Sequence, residues 1–167
     1  MPVAATLFFV GVSAAAVSDI RSRRVTNRLN VTLLLAGLAW RASMLDATAF
    51  AMGLVGVVVG LAMLFVPFAA RWVGAGDVKL LAACGAWLGP YGAFLAGLFG
   101  LLGGGLLAFA LACSAGAMVR RDVARNIGAS ILTLTSPIAP KRAKALTVPL
   151  AVPIAAAAIA VFIAQVL

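Results

Sequence analysis

Acid–base chemistry in this chain depends on four carboxyl groups. The sequence contains no glutamate and no histidine, which excludes a Ser-His-Asp triad and nearly all zinc hydrolase sites. Cys84 and Cys113 stand far apart without a CxxC pattern, so we expect two apolar thiols, no metal and no cofactor. What is left is a carboxyl pair, in which one ionised group takes a proton from water while its protonated neighbour donates one. The four candidates are Asp19, Asp46, Asp77 and Asp122.

The composition predicts the elements that must position these groups. Hydrophobic residues make up 65% of the 167 positions and charged residues 10%, where about a quarter is usual. The mean hydropathy of +1.17 excludes soluble, extracellular and nucleic-acid-binding proteins, in spite of a net charge of +9. We therefore expect an all-α, polytopic membrane protein, a single domain over 1–167 with about six transmembrane helices. The approximate spans are 2–19, 30–45, 49–70, 77–92, 94–118 and 146–166, with Gly89-Pro90 as the only turn signal between the fourth and the fifth.

The basic residues predict the orientation. Twelve of the thirteen lie in the loops 20–29, 71–79 and 119–145, which alternate along six spans, and only Arg41 lies opposite. The positive-inside rule then makes these three loops cytoplasmic and puts both termini outside. The same residues would bind anionic lipid headgroups. Within the long loop, apolar residues at helical spacing over 123–134 predict an interfacial helix, with a disordered basic tether as the alternative.

This topology separates the aspartates. Asp19 ends the first span and Asp77 begins the fourth, so both lie at the cytoplasmic edge, where each could also be a simple helix cap or flanking charge. Asp46 lies in a short outer loop and could cap the third helix. Asp122 stands beside Arg121 and is most simply a solvated ion pair.

Two motifs surround the cytoplasmic pair. Residues 74–79 read G-x-G-D-x-K, and residues 19–27 read D-x-R-x-R-R-(I/V)-x-N. With six spans and both aspartates on one side, the whole chain resembles the type IV prepilin peptidases, the GxGD class of intramembrane aspartyl proteases.

The resemblance implies a function and a site. Such enzymes remove the basic leader of prepilins or pseudopilins at the cytoplasmic face of the bacterial inner membrane, which here leaves both termini periplasmic. Asp19 and Asp77 would be the catalytic pair, with the acid and the base unassigned, and the partner would be a prepilin, with the oligomeric state open. Gly74 and Gly76 would let an extended substrate approach. The further expected substrate-binding residues are Arg21, Arg23, Arg71, Lys79 and Asn27, of which Asn27 could also cap the second helix and Lys79 could anchor at the headgroups.

Some features qualify the resemblance. Thr26 stands where many members have proline, and the chain has no Cys-rich domain, so we expect no methyltransferase activity. The short chain resembles the single-activity peptidases of tight-adherence (Flp-type) pili. Pro149 and Pro153 resemble the family's proline near the last span and predict a bend or opening beside the site.

The alternative function is a small transporter or a pilus or secretion assembly factor, because transporters also use intramembrane aspartates. The depth of the two aspartates in the membrane would decide between a peptidase and a transporter.

Overall fold

The computed structural model describes residues 2–22, 25–114 and 149–166, and all regular structure within them is α-helical. Arg23 lies outside the described residues, as does the whole loop 119–145 with Asp122 and the predicted helix 123–134. Asp46 caps the third helix as predicted, because its carboxylate accepts the Thr48 N–H at 2.8 Å. The helices are α1 (Pro2–Ser22), α2 (Asn27–Ala42), α3 (Ala47–Ala69), α4 (Ala75–Ser114) and α5 (Ala151–Val166).

Helix α4 is broken at Gly89, where φ is 73° and ψ is −176°. The Leu81 Cδ2 atom lies 2.8 Å from the position that a Cβ would take at Gly97. A straight helix would separate these two residues by about 24 Å. The chain therefore folds back at the break into two segments, α4a (75–88) and α4b (90–114). Glycine permits the positive φ, and Pro90 suits the first position of the returning helix.

Each helical segment reverses the direction of the one before it. The α3–α4a pair shows this, since Gly56 lies against Gly85 and Gly60 against Leu81. Helices α1 and α5 are antiparallel as well, since Asp19 contacts Ala151 at one end and the Phe8 and Phe162 rings stack 4.7 Å apart at the other. The end of α1 and the starts of α2, α4a and α5 consequently lie together at one end of the bundle, which we call the site end. The break at Gly89 comes a few residues before the predicted limit of 92.

Three apolar stretches are long enough to cross a membrane, namely Val3–Ser22, Ala47–Ala69 and Ala75–Leu111. The chain is therefore a helical membrane protein by the length and composition of these helices. The third stretch contains the reversal at Gly89, while α2 and α5 have 16 residues each, a length of about 24 Å. The count of six spans stays a prediction.

Segment α4a forms the centre of the bundle. Nearly all of its residues from Val78 to Leu88 are buried, and α3 packs against it so closely that a Cβ at Gly56 would overlap the Gly85 backbone. Helix α2 lies along another side, where the Trp87 indole N–H donates to the Leu33 carbonyl at 2.8 Å. The central segment carries Asp77 at its start, so its packing fixes where that carboxyl lies.

Arg41 holds the end of α4a that is remote from the site end. Its Nε and Nη2 donate to the carbonyls of Ala86 and Trp87, both at 2.8 Å, and its Nη1 donates to the Ala49 carbonyl at 3.0 Å. The last carbonyls of a helix lack partners within the helix, and in an apolar environment each must find one. Arg41, which the sequence analysis predicted to lie opposite the other basic residues, therefore completes the end of a helix.

We expect Arg41→Lys to destabilise the fold. A lysine ammonium cannot reach three carbonyls on two elements at once, and each buried carbonyl left without a partner costs about 1–3 kcal/mol. The measurement is the midpoint of thermal unfolding in detergent, compared with Arg28→Lys, since Arg28 is exposed. Equal unfolding midpoints for the two variants would contradict the stabilising role of the three hydrogen bonds that Arg41 donates.

Candidate active site

Asp19 lies in the last turn of α1 and is only 7% exposed. Its Oδ2 accepts a hydrogen bond of 3.2 Å from the backbone N–H of Ala151, the first residue of α5. The first N–H groups of a helix have no partner within it, and together with the helix dipole they favour a carboxylate. The surroundings of Asp19 are therefore completed by a residue from the far end of the sequence.

The two prolines near Ala151 lie at the start of α5. Pro149 precedes the helix and accepts from Val152 N–H at 3.2 Å, while Pro153 falls in the first turn, where a missing N–H has no cost. These prolines flank the helix start that lies against Asp19, and the bend or opening expected at this place stays a prediction. Ala151 itself was missed by the sequence analysis, since it acts through its backbone, and the proline pair was the only signal of a helix start there.

Asp77 lies in the first turn of α4a and is partly buried. Its own N–H donates to the Gly74 carbonyl at 3.1 Å, and a backbone hydrogen bond from Gly74 reaches its carboxylate. A Cβ at Gly74 would lie 3.3 Å from Asp77 Oδ2, which is tighter than ordinary contact. The carboxyl thus folds back over the residue that precedes its helix.

Asp19 and Asp77 both lie at the site end, on different helices and in the two motifs that the sequence analysis singled out. That they act as a catalytic pair stays a prediction. Such a pair can accept a proton on one carboxyl while the other donates one. Among the described residues, no cluster of three or more His, Cys, Asp or Glu side chains could hold a metal ion.

Asn27 and Lys79 contact each other. The Lys79 ammonium donates to Asn27 Oδ1 at 2.8 Å, which ties the start of α2 to α4a. The expectation that Asn27 caps α2 was wrong, because Thr26 occupies the cap position, with extended backbone and no side-chain capping bond. Their contact with a substrate stays a prediction.

Gly76 packs against its own chain. A Cβ at Gly76 would lie 3.4 Å from the Val25 Cβ, and the Gly76 carbonyl accepts from Asn30 Nδ2 at 3.1 Å. The sequence analysis expected an extended substrate to approach Gly76. In the structure, Val25 of the α1–α2 connection lies against this glycine. Asn30, which is 2% exposed, was missed by the sequence analysis. The available signal was a second asparagine one helical turn after Asn27, on the same face of an apolar helix.

Two of the predicted basic contacts, Arg21 and Arg71, lie at the site end. Arg21 is exposed in the last turn of α1. Arg71 is exposed directly after α3, with a φ of 59°, a left-handed conformation that glycine usually adopts at this position. Its N–H donates to the Phe68 carbonyl at 2.9 Å, and Trp72 N–H donates to Pro67 at 2.8 Å, a Schellman motif that ends α3. An arginine is therefore held at a strained position close to the start of the G-x-G-D turn.

Comparison with known proteins gives one match. The sequence profile described as the type IV leader peptidase family matches residues 6–120, which is more than half of the chain and includes both aspartates and both motifs. No curated protein and no solved structure matches the chain. The match ends before α5, so Ala151 lies outside the region that the family profile covers. The chain belongs to the type IV leader peptidase family.

Proposed function

We propose that this protein is a membrane-embedded aspartic endopeptidase that removes the basic leader from type IV prepilins or pseudopilins. Family membership supports a protease in general. The observation that supports the finer proposal is that Asp19 and Asp77 lie at the same end of the bundle, each at a helix end and each in one of the two motifs. No cofactor is needed for this chemistry.

The proposed reaction needs only the two carboxyls and a water molecule. The ionised carboxyl takes a proton from water, whose oxygen attacks the carbonyl carbon of the scissile bond, while the protonated carboxyl donates its proton to the carbonyl oxygen. The resulting tetrahedral gem-diol then collapses: the carboxylate that gave its proton to the carbonyl oxygen takes one back from a gem-diol hydroxyl, the C–N bond breaks, and the leaving amine takes the proton that the other carboxyl had taken from water. One carboxyl ends protonated and the other ionised, so the pair is ready for another cycle.

The proposed location of the site is the cytoplasmic face of the bacterial inner membrane. Among the described residues, Arg21 and Arg71 lie at the site end, and positively charged loops remain in the cytoplasm. The six alternating helical segments support six spans with both termini in the periplasm. Exposed Arg21 and Arg71 at this end would contact acidic groups of a substrate or of lipid headgroups.

The depth of the aspartates favours this proposal over a transporter. Asp19 lies in the last turn of α1 and Asp77 in the first turn of α4, so both are at helix ends and neither is near the middle of a helix. Transporters bind their substrates and coupling ions near the midplane of the bilayer. A peptidase that cuts beside a basic leader needs its carboxyls at the boundary, where an extended peptide and water can both reach them.

We expect Asp19→Asn and Asp77→Asn each to abolish leader removal, because one carboxyl cannot act as acid and base together. The measurement is the shift of a prepilin from the same genome on a gel after co-expression with each variant. Asp46→Asn is a matched control, since asparagine also caps helices and Asp46 lies at the other end of the bundle. Near-normal cleavage by either site variant, with the protein inserted and folded, would contradict the dyad.

A second prediction concerns the contact between Gly76 and Val25. We expect Gly76→Val to lower the cleavage rate at least about tenfold, because the added methyl groups would overlap Val25 and displace the start of α4a. Gly76→Ala, whose Cβ would make an ordinary contact, should cause a much smaller loss.

Gly105→Val tests the specificity of that effect, because a Cβ at Gly105 has no atom within 4 Å. The rates come from the same co-expression assay, normalised to the amount of each variant in the membrane. If Gly76→Val and Gly105→Val cleaved equally well, the steric role of Gly76 would be wrong.

A further inference from the structure

Asn30 is a buried polar side chain beside the G-x-G-D turn. It lies on α2, is 2% exposed, and its Nδ2 donates to the Gly76 carbonyl at 3.1 Å. Its Oδ1 is also buried and has no hydrogen-bond partner among the residues that the structure describes. The bond to Gly76 is therefore the contact that accounts for an amide at this place.

That bond acts on the peptide unit that joins Gly76 to Asp77. The carbonyl of this unit accepts from Asn30, and its N–H, which belongs to Asp77, donates to the Gly74 carbonyl at 3.1 Å. Because the peptide unit is planar, holding both of its polar groups fixes its orientation. The Cα of Asp77 is bonded directly to this unit, so the direction of the Asp77 side chain depends on it.

Stability alone does not explain the amide. A buried acceptor without a partner is destabilising, and this offsets what the bond to Gly76 contributes. An apolar side chain of similar volume would avoid that cost in a helix that is otherwise largely apolar. An asparagine at this position is better explained by what it does to the neighbouring turn.

We propose that Asn30 is a positioning residue for Asp77, which holds the Gly76–Asp77 peptide unit so that the Asp77 carboxyl faces Asp19. This inference rests on the proposed peptidase function. Asn30 does not touch the reacting atoms. A displaced carboxyl would slow the chemical step and leave substrate binding nearly unchanged, since small misplacements of a catalytic group are costly in rate.

The test compares Asn30→Leu and Asn30→Ala with the wild type in cleavage of a prepilin in detergent. Both variants remove the donor, one with similar volume and one with a smaller side chain that fits without strain. Thr32→Val is the control, because the exposed Thr32 hydroxyl donates only to Arg28 in its own helix, at 2.8 Å. The readouts are kcat and KM separately and the midpoint of thermal unfolding.

We expect kcat of both Asn30 variants to fall at least about tenfold with KM within about twofold. The unfolding midpoint of Asn30→Leu should not fall, and Thr32→Val should match the wild type. The proposal is overturned if Asn30→Leu keeps the wild-type kcat, if KM carries the loss, or if neither variant folds. A folded wild type that cleaves no prepilin would instead refute the peptidase function itself, and this inference with it.

Discussion

The reversal of the chain at Gly89 is the constraint on which the rest of the site depends. Because α4b returns toward the site end, Gly100 and Gly104 lie against Ile154 and Leu150 of the segment whose Ala151 N–H reaches Asp19. A continuous α4 would leave the start of α5 without these contacts. The reversal leaves carbonyls at the end of α4a, and Arg41 binds them from α2. The hydrogen bonds of Arg41 to the last carbonyls of α4a thus stabilise the reversal at one end of the bundle, and the reversal makes the carboxyl site possible at the other end.

The two carboxyls are held in different ways. Asp19 is buried against a helix start that is remote in sequence, whereas Asp77 is partly exposed and is held by residues of its own turn. Water and a peptide would therefore reach the pair from the side of Asp77. The exposed Arg71 lies shortly before that turn in the chain, at a left-handed position that a glycine would occupy with less strain. A positive charge is thus kept near the open side of the site.

Sequence reasoning predicted the features that depend on side-chain type and spacing. The apolar segments indicated a helical membrane protein, the two motifs indicated the pair Asp19 and Asp77, and the cap by Asp46 followed from its place before an apolar helix. The contribution of Ala151 could not be predicted, because any residue can donate a backbone N–H and only the three-dimensional fold decides which one meets Asp19. Asn27 failed as a cap for a similar reason, since Lys79 competes for its side chain across helices. The count of six spans is still a prediction, because α2, α4a and α5 are short.

The glycines of the G-x-G-D motif have a role within the chain itself. Gly74 leaves room for the Asp77 carboxylate above it, and Gly76 lets Val25 and Asn30 approach from the α1–α2 side. Val25 and Asn30 belong to the segment that follows Asp19, so the second motif packs directly against the region of the first. The absence of a side chain at Gly76 is therefore what allows the segment that carries Asp77 to approach the segment that follows Asp19. A substrate of the proposed peptidase would meet a turn that Val25 and Asn30 already contact on one side, and would approach from the exposed side of Asp77.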